Sequence, residues 1–290
     1  MDFVNPTAFD AFAGDYDTDF THSTLGRLLR PRVWDRLAQY FGPGQHVLEL
    51  ACGTGEDAVW LAQQGVRLTA TDGSAEMVKQ ATAKAEAAGV SGQIEVVQIS
   101  LQEISEPPTE RRSSSFVFRP SSVSSRQQSA VGGRLFDGVF SNFGGLNTTN
   151  NWRGLAKSLA QVIKPGGAAI LVPMGPFCPW EMLWHAGHAQ LQTAFRRWRK
   201  SAPAQIGAST IPIWYPSARR LRADFAPWFD HLQTESLGLW LPPSYLDQFV
   251  NCWPKFFAGL NRVEKATARL TQSWGDHYII TFERNKEGVK

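Results

Sequence analysis

Charge of one sign is scarce in this chain: 29 lysines and arginines stand against 26 aspartates and glutamates, a net of +3 over 290 residues. A surface that tracks phosphates needs many clustered cations, so no nucleic-acid partner is expected. Cysteine is scarcer still. Cys52, Cys178 and Cys252 lie far apart and are odd in number, which fits neither a disulfide framework nor a metal-ligand set. No apolar run approaches the roughly 18 residues of a membrane span, so no membrane partner is expected. The opening MDFVNPTAFDAFAGDYD is acidic and lacks the apolar core of a signal peptide. The expected setting is cytoplasmic and reducing. What is abundant is apolar material, 43% of the residues. Tryptophan occurs 11 times, with eight copies between Trp180 and Trp274. Aromatic side chains bury large areas and line ligand pockets, so the second half is expected to hold an apolar cavity or an aromatic core.

The chain alternates short apolar runs with helical periodicities. Leu25, Leu28, Leu29, Val33, Trp34 and Leu37 recur at helical spacing. Strands are expected over 46–50, 66–70, 94–99, 135–140 and 168–172, with helices over 54–64, 74–88 and 152–163 between them. Ser74 is placed to cap the second of these helices, and Pro165-Gly166-Gly167 to end the third. Strand–helix alternation implies a mostly parallel sheet covered on both faces. Past 172 the expectation is helix over 179–200, an extended piece at 209–215, and a short helix over 217–226. A strand at 231–237, helix over 245–270 broken at Pro254, and a last strand at 277–282 complete the chain. The stretch 105–134 holds nine Ser, three Pro and five Arg, a composition that buries little apolar area and reads as disordered.

The informative stretch is Glu49-Leu50-Ala51-Cys52-Gly53-Thr54-Gly55, a strand followed by glycines and a helix. Glycine lets the backbone turn sharply and approach a ligand, and helix N-terminal amides contact polar ligand groups. The pattern is neither a P-loop nor a full G-x-G-x-x-G, because Ala58 takes the place of the third glycine. Asp72, at the end of the second strand, is placed to accept hydrogen bonds from ribose hydroxyls. Together they indicate a nucleoside-containing cofactor.

In these segments the chain resembles the class I S-adenosylmethionine-dependent methyltransferases. ELACGTGED at 49–57 looks like their first motif and TDGSAEMVKQA at 71–81 like the acidic second. FDGVFSNFGGLN at 136–147 is similar to the fourth-strand motif, and VIKPGGAAILV at 162–172 to the helix–turn–strand after it. The resemblance covers about Phe9 to Val172. It implies a Rossmann-like α/β fold: a seven-stranded, mostly parallel sheet with an antiparallel last strand, helices on both faces and helical capping insertions. It implies S-adenosyl-L-methionine as cofactor and S-adenosyl-L-homocysteine as product. By the same resemblance Glu49, Ala51, Gly53 and Gly55 surround the methionine portion, Asp72 holds the ribose, and Gly73, Ser74 and Met77 flank the adenine. Asn142 and Phe143 lie by the methionine and the transferred methyl. Relatives carry a carboxylate after the third strand for the adenine amine. Here Ser100, Leu101 and Gln102 precede the first one, Glu103, so backbone groups of Ser100 and Leu101, or Gln102, take that role. GDYD at 14–17 resembles a segment that closes over the cofactor. Tyr16 either contacts the cofactor or anchors the first helix.

The implied organisation is an N-terminal helical segment (1–45), a cofactor-binding core (46–174), a substrate-capping insertion (175–230), and a C-terminal completion of the sheet (231–290) with a helical insertion (241–275). Open α/β sheets bind ligands at the carboxyl ends of their strands. His46 and His231 fall at the opposite edge, leaving His22, His185, His188 and His277. Asn142, His185 and His277 are the catalytic candidates, and no metal is expected. The leading expectation is methylation of O, N or C on a small, partly apolar or aromatic acceptor. An NAD-dependent oxidoreductase and a non-catalytic interaction protein of the same fold are the alternatives.

Overall fold

Val47, Leu48, Leu50, Leu68 and Ala70 form short apolar runs that become adjacent strands with both faces covered. The computed structural model describes residues 6–105, 135–206 and 209–286. The serine-rich stretch 106–134 lies outside the described residues. Five strands, β1 (His46–Leu50), β2 (Arg67–Asp72), β3 (Ile94–Gln98), β4 (Phe136–Ser141) and β5 (Ile163–Leu171), pair in parallel. A hairpin of β6 (Ala202–Ile206) and β7 (Ser209–Ile213) stands apart from the sheet. The sheet is completed by β8 (Phe229–Leu237) and β9 (His277–Arg284), in the order β3-β2-β1-β4-β5-β9-β8. Within this sheet β9 alone is reversed, running antiparallel to both β5 and β8.

Successive strand residues point to opposite faces, and the core divides accordingly. Leu48, Val139, Leu171, Ile280 and Phe282 pack under α4 (Leu101–Ser105), α5 (Trp152–Val162) and α8 (Ala218–Phe225). Val47, Phe140, Ile170 and Ile279 pack under α1 (Thr24–Tyr40) and α2 (Glu56–Gln63). The same layer receives Ala85 of α3 (Ala75–Ala87), Val250 of α9 (Asp247–Cys252) and Phe257 of α10 (Pro254–Thr271). Ser74 caps α3 by accepting from the Met77 N–H at 3.1 Å.

Two expectations change. Pro165-Gly166-Gly167 does not end a helix ahead of β5 but lies within the strand. Phe136 pairs with Ile163 and Gly138 with Ala168, so these residues loop out of the ladder as a bulge, with Gly166 at a φ of 79°. The helix expected over 179–200 is divided into α6 (Pro179–Gly187), α7 (Leu191–Ala194) and a single 3-10 turn. Ala189, at a φ of 59°, breaks it, because a left-handed residue cannot continue a right-handed helix. The stretch 175–230 is thus helices plus the β6–β7 hairpin.

α1 holds the molecule together in two ways. Leu25, Leu29, Val33 and Leu37 form its buried stripe, each contributing about 1.5–3 kcal/mol on burial. Three buried arginines beside that stripe reach three other elements: Arg30 to Asp57 of α2, Arg32 to Glu264 of α10, and Arg36 to Glu235 of β8. Glu264 is fully buried and also accepts from the N–H groups of Gly238 and Trp240, at 3.0 and 2.7 Å. Removing it strands a guanidinium and two amides. Glu264→Leu should destabilise the protein by about 3–5 kcal/mol, read as a lower urea midpoint. An unchanged midpoint would show that the cation is resolvated.

Candidate functional site

The carboxyl ends of β1 and β4 converge, and two non-glycine residues there adopt left-handed backbone conformations: Ala51 at a φ of 51° and Phe143 at 45°. Each such residue costs of order 1–3 kcal/mol, and such strain clusters where a cleft must be shaped. Gly145 lets the two ends meet, since a Cβ there would lie 2.7 Å from the Ala51 Cβ and 2.9 Å from the Ser141 Oγ. The two motif glycines differ in task. Gly53 faces the Tyr16 ring, whose Cε1 lies 3.8 Å from where its Cβ would be. Gly55 instead packs against α3, where a Cβ would come within 2.9 Å of Ala81. Ala58 is buried in the core behind α2, so no third glycine approaches a ligand.

Tyr16, Arg30, Glu49, Ala51, Cys52, Thr54, Glu56, Asp57, Asn142 and Phe143 enclose a cleft of about 280 Å³, open in part to solvent. Its chemistry centres on Asp57. One carboxylate oxygen accepts from Arg30 Nη1 and Trp34 Nε1, both at 2.7 Å, and the other from Asn142 Nδ2 at 2.9 Å. The Arg30 guanidinium sits over Phe143 at 4.9 Å and Phe20 at 5.5 Å. Three polar atoms in this wall are buried without partners: Glu49 Oε2, Asn142 Oδ1 and Arg30 Nε. Burial, reinforced by Asp57, pushes the Glu49 carboxyl well above its usual range, although Arg30 opposes the shift. Burial likewise raises the Cys52 thiol well above its ordinary value, which makes it a poor nucleophile.

Asp72 ends β2 beside this cleft. Its oxygens accept from the N–H groups of Ser74 and Gly53, each at 2.9 Å. Burial raises its pKa and these backbone bonds hold back the rise. Met77 is buried in the first turn of α3, and Gly73 accepts from Gln98 Nε2 through its carbonyl. Ser100 and Leu101 follow β3, whose neighbour Ile99 donates to the Asp72 carbonyl at 2.8 Å. Glu103 turns back to accept from the N–H and hydroxyl of Ser100, a capping arrangement that occupies the nearest carboxylate.

The N-terminal segment folds over all of this. Asp10 receives the Ser74 hydroxyl at 2.5 Å, and Asp17 receives Thr54 Oγ1 at 2.7 Å and meets Lys84 at 2.6 Å. Phe12, Tyr16, Phe20 and Phe143 form a continuous aromatic roof with ring centroids 4.9–6.0 Å apart. Burial drives the Tyr16 hydroxyl up to about 12, against the pull of Arg30.

The structure thus brings Tyr16, Glu49, Ala51 and Asn142 to one cleft, with Asp72 held to the Gly53 amide beside it; Gly55, Gly73, Met77, Ser100 and Leu101 are not among the residues that line it. His277 opens β9 next to Phe143, with ring centroids 5.7 Å apart. His185 lies elsewhere, on α6, where it meets Gln190 Oε1 at 2.7 Å and the Tyr245 hydroxyl at 3.2 Å. None of the eight late tryptophans lines the cleft. Trp214 belongs to the core, and Trp198, Trp253 and Trp274 are exposed on the insertions. Sequence reasoning missed Arg30 and Asp57. The available signal was four arginines on α1 with a single carboxylate, Asp35, within that helix. Among the described residues no cluster of three His, Cys, Asp or Glu side chains is arranged to hold a metal.

Residues 22–226 match the family model described as a methyltransferase domain. The chain is 30% identical over 100 residues to the tRNA 5-carboxymethoxyuridine methyltransferase of Escherichia coli (strain K12), a match covering 33% of this chain and 38% of the relative. It is 28% identical over 163 residues to the demethylmenaquinone methyltransferase of Mycobacterium tuberculosis (strain ATCC 25618 / H37Rv), covering 56% and 55%. The chain therefore spans between about two-fifths and just over half of the length of these curated relatives. Among solved structures, the DhpI–SAH complex superposes with a TM-score of 0.54 at 17% identity, covering 98% of this chain and 96% of that one. A chain from the Haloferax volcanii complex of the Trm112 methyltransferase activator with a methyltransferase gives 0.56 at 16% identity, covering 99% and 100%. These two likenesses concern the fold. The family model spans well over half of the sequence, over the strands and turns that build the cleft, and the chain belongs to the methyltransferase-domain family.

Proposed function

We propose that this protein transfers the methyl group of S-adenosyl-L-methionine to a small, partly apolar or aromatic acceptor, releasing S-adenosyl-L-homocysteine. The observation that carries this reading is the set of unpartnered atoms in the cleft wall. Two buried acceptors, Glu49 Oε2 and Asn142 Oδ1, and one buried donor, Arg30 Nε, surround the same space. Buried polar atoms without partners are rare, and this set complements the ammonium and carboxylate of an amino acid. The methionine end of the cofactor is such a zwitterion.

The remaining residues follow from their positions. Asp72 takes the ribose hydroxyls with the lone pairs that Gly53 and Ser74 leave free. Gly73 and Met77 flank the adenine, and Ser100 and Leu101 meet its edge through their backbone. Ala51, Gly53 and Gly55 shape the floor. Tyr16 and the aromatic roof close over the bound cofactor and exclude water. Tyr16 lines the cleft and the rings of Phe12, Phe20 and Phe143 roof it, so this segment must move to admit the cofactor. When bound, the sulfonium supplies an electrophilic methyl and leaves as a neutral thioether. The chain's part is placement and desolvation. A tRNA and a quinone methyltransferase both match part of this chain, so the partial likeness leaves the choice of acceptor to the residues of the two insertions. Three unpaired cysteines fit a cytoplasmic setting, and no described helix is long and apolar enough to cross a membrane.

Calorimetric titration with S-adenosylmethionine and S-adenosylhomocysteine, with NAD as control, tests the assignment. Saturable binding of the first two alone is expected, and its absence from folded protein would sink the reading. Asp72→Asn should weaken binding by about 10–100-fold, the worth of hydrogen bonds to a charged group. Arg30→Lys keeps a cation for Asp57 but loses the planar fork, and should weaken the same titration by about tenfold or more. Affinity unchanged in Arg30→Lys would remove Arg30 from the carboxylate site.

Glu49 gives a prediction with a definite sign. Its folded-state pKa is raised, so its contribution to stability is complete below the ordinary glutamate range and is lost as pH rises through the folded value. Without ligand, Glu49→Gln should melt with the wild type in mild acid and above it near neutral pH, while binding the cofactor more weakly. Parallel melting curves across that range would show that Glu49 is not held in its protonated form.

A further inference from the structure

Asp57 stands apart from the residues given a part of the cofactor to hold. It is the second residue of α2, buried in the cleft wall, with both oxygens turned to protein donors. Oδ1 accepts from Arg30 Nη1 and Trp34 Nε1, and Oδ2 from Asn142 Nδ2, which lies 85 residues further along the chain. Trp34 follows Arg30 by one turn of α1 and lines no part of the cleft. Its ring is fixed by Trp60 of α2, stacked at 4.9 Å and within 5° of parallel. Arg30 is fixed at its other end by Thr21 Oγ1 at 3.4 Å, and its guanidinium lies over the rings of Phe20 and Phe143. A staple between α1 and α2 needs only the ion pair of Arg30 with Asp57. The bonds to Trp34 and Asn142 go beyond it.

The two ends of an asparagine amide are nearly alike in shape and opposite in chemistry. An ionised carboxylate only accepts, so Asn142 must give Asp57 its NH2 end and turn its oxygen elsewhere. That oxygen is the buried, unpartnered Oδ1. The same carboxylate takes Nη1 of Arg30 and leaves Nε without a partner. Resting on the methyl-transfer reading above, we propose that Asp57, steadied by Trp34, is the positioning residue that makes the cleft select ligands carrying an α-amino acid. It sets an acceptor for the ammonium on Asn142 and a donor for the carboxylate on Arg30. An amide in place of the Asp57 carboxylate would undo half of this arrangement. Arg30 and Trp34 would claim its oxygen, and its NH2 would face Asn142 and turn that side chain over. A donor would then meet the ligand's ammonium, a mismatch that water cannot relieve in a buried wall. The nucleoside end, given to Asp72, lies outside this set of bonds.

Calorimetry with three ligands tests the selection: S-adenosylhomocysteine, its analogue lacking the α-amino group, and methylthioadenosine, which has no amino-acid end. The wild type should bind the first about 100-fold more tightly than the last. In Asp57→Asn the affinity for S-adenosylhomocysteine should fall by about 10–100-fold while that for methylthioadenosine stays within about twofold. The analogue without the amine should lose less than its parent. Adding Asn142→Asp to Asp57→Asn restores an acceptor opposite the substituted amide and another toward the ammonium, and should recover most of the loss. Trp34→Phe keeps a ring against Trp60 and removes one donor, so S-adenosylhomocysteine alone should weaken, by about threefold. That variant decides the matter if Asp57→Asn does not fold. Equal losses for S-adenosylhomocysteine and methylthioadenosine in either variant would make Asp57 a staple only and overturn the proposal. It is also overturned by unchanged S-adenosylhomocysteine affinity in Asp57→Asn, by no recovery in the double variant, or by equal wild-type affinities for the two ligands. A wild type that binds neither S-adenosylhomocysteine nor S-adenosylmethionine instead overturns the cofactor reading on which the proposal rests.

Discussion

The buried pair between Arg30 and Asp57 is the constraint on which both the fold and the cleft depend. It ties α1 to α2 beside the apolar layer the two helices share, at 2.7 Å and with almost no exposure of either side chain. A charge removed from water must be matched, and Asp57 is matched fully, by Arg30, Trp34 and Asn142. Arg30 also donates from Nη2 to Thr21 Oγ1 at 3.4 Å, but its Nε keeps an unmet donor in the cleft wall. The same guanidinium that fixes the first helix therefore remains available to an anion.

Strain and closure follow from that anchor. The left-handed backbones of Ala51 and Phe143 are tolerated because the strands that carry them sit in the middle of a sheet covered on both faces. Phe143 is further held between the Arg30 guanidinium and the rings of Phe20 and His277. The N-terminal segment docks through polar contacts at its two ends, Asp10 on Ser74 and Asp17 on Thr54 and Lys84. Contacts of this partly exposed kind are individually weak, which suits the opening proposed for this segment.

The insertions are built differently. They attach to the core through buried charge networks, Arg32 with Glu264 in one and Glu181, Arg197 and Asp276 in the other. The tryptophans that mark them in the sequence divide between the core and the surface, and none reaches the cleft. Abundance of aromatic residues indicated where burial was in demand. It did not indicate which side of a helix would face the ligand.

The sequence by itself determined the sheet and the cofactor end of the cleft. Short apolar runs with glycine-rich turns leave one economical arrangement, and β1 lies where the run His46–Leu50 predicts it. Asp72 and Gly53 were legible from their spacing after a strand, and Asn142 through the resemblance of FDGVFSNFGGLN to the family's fourth-strand motif. Tertiary structure alone decided that Asn142 bonds to Asp57, that Glu103 serves as a cap, and that Arg30 enters the cleft. It also decided that His277 meets a carboxylate while His185 stays on an outer helix. The contacts of Asp57 with Asn142 and Arg30 join residues far apart in the chain, and the others depend on how the local backbone turns each side chain. Their energies depend on burial and partner geometry, which no local pattern of residue types encodes.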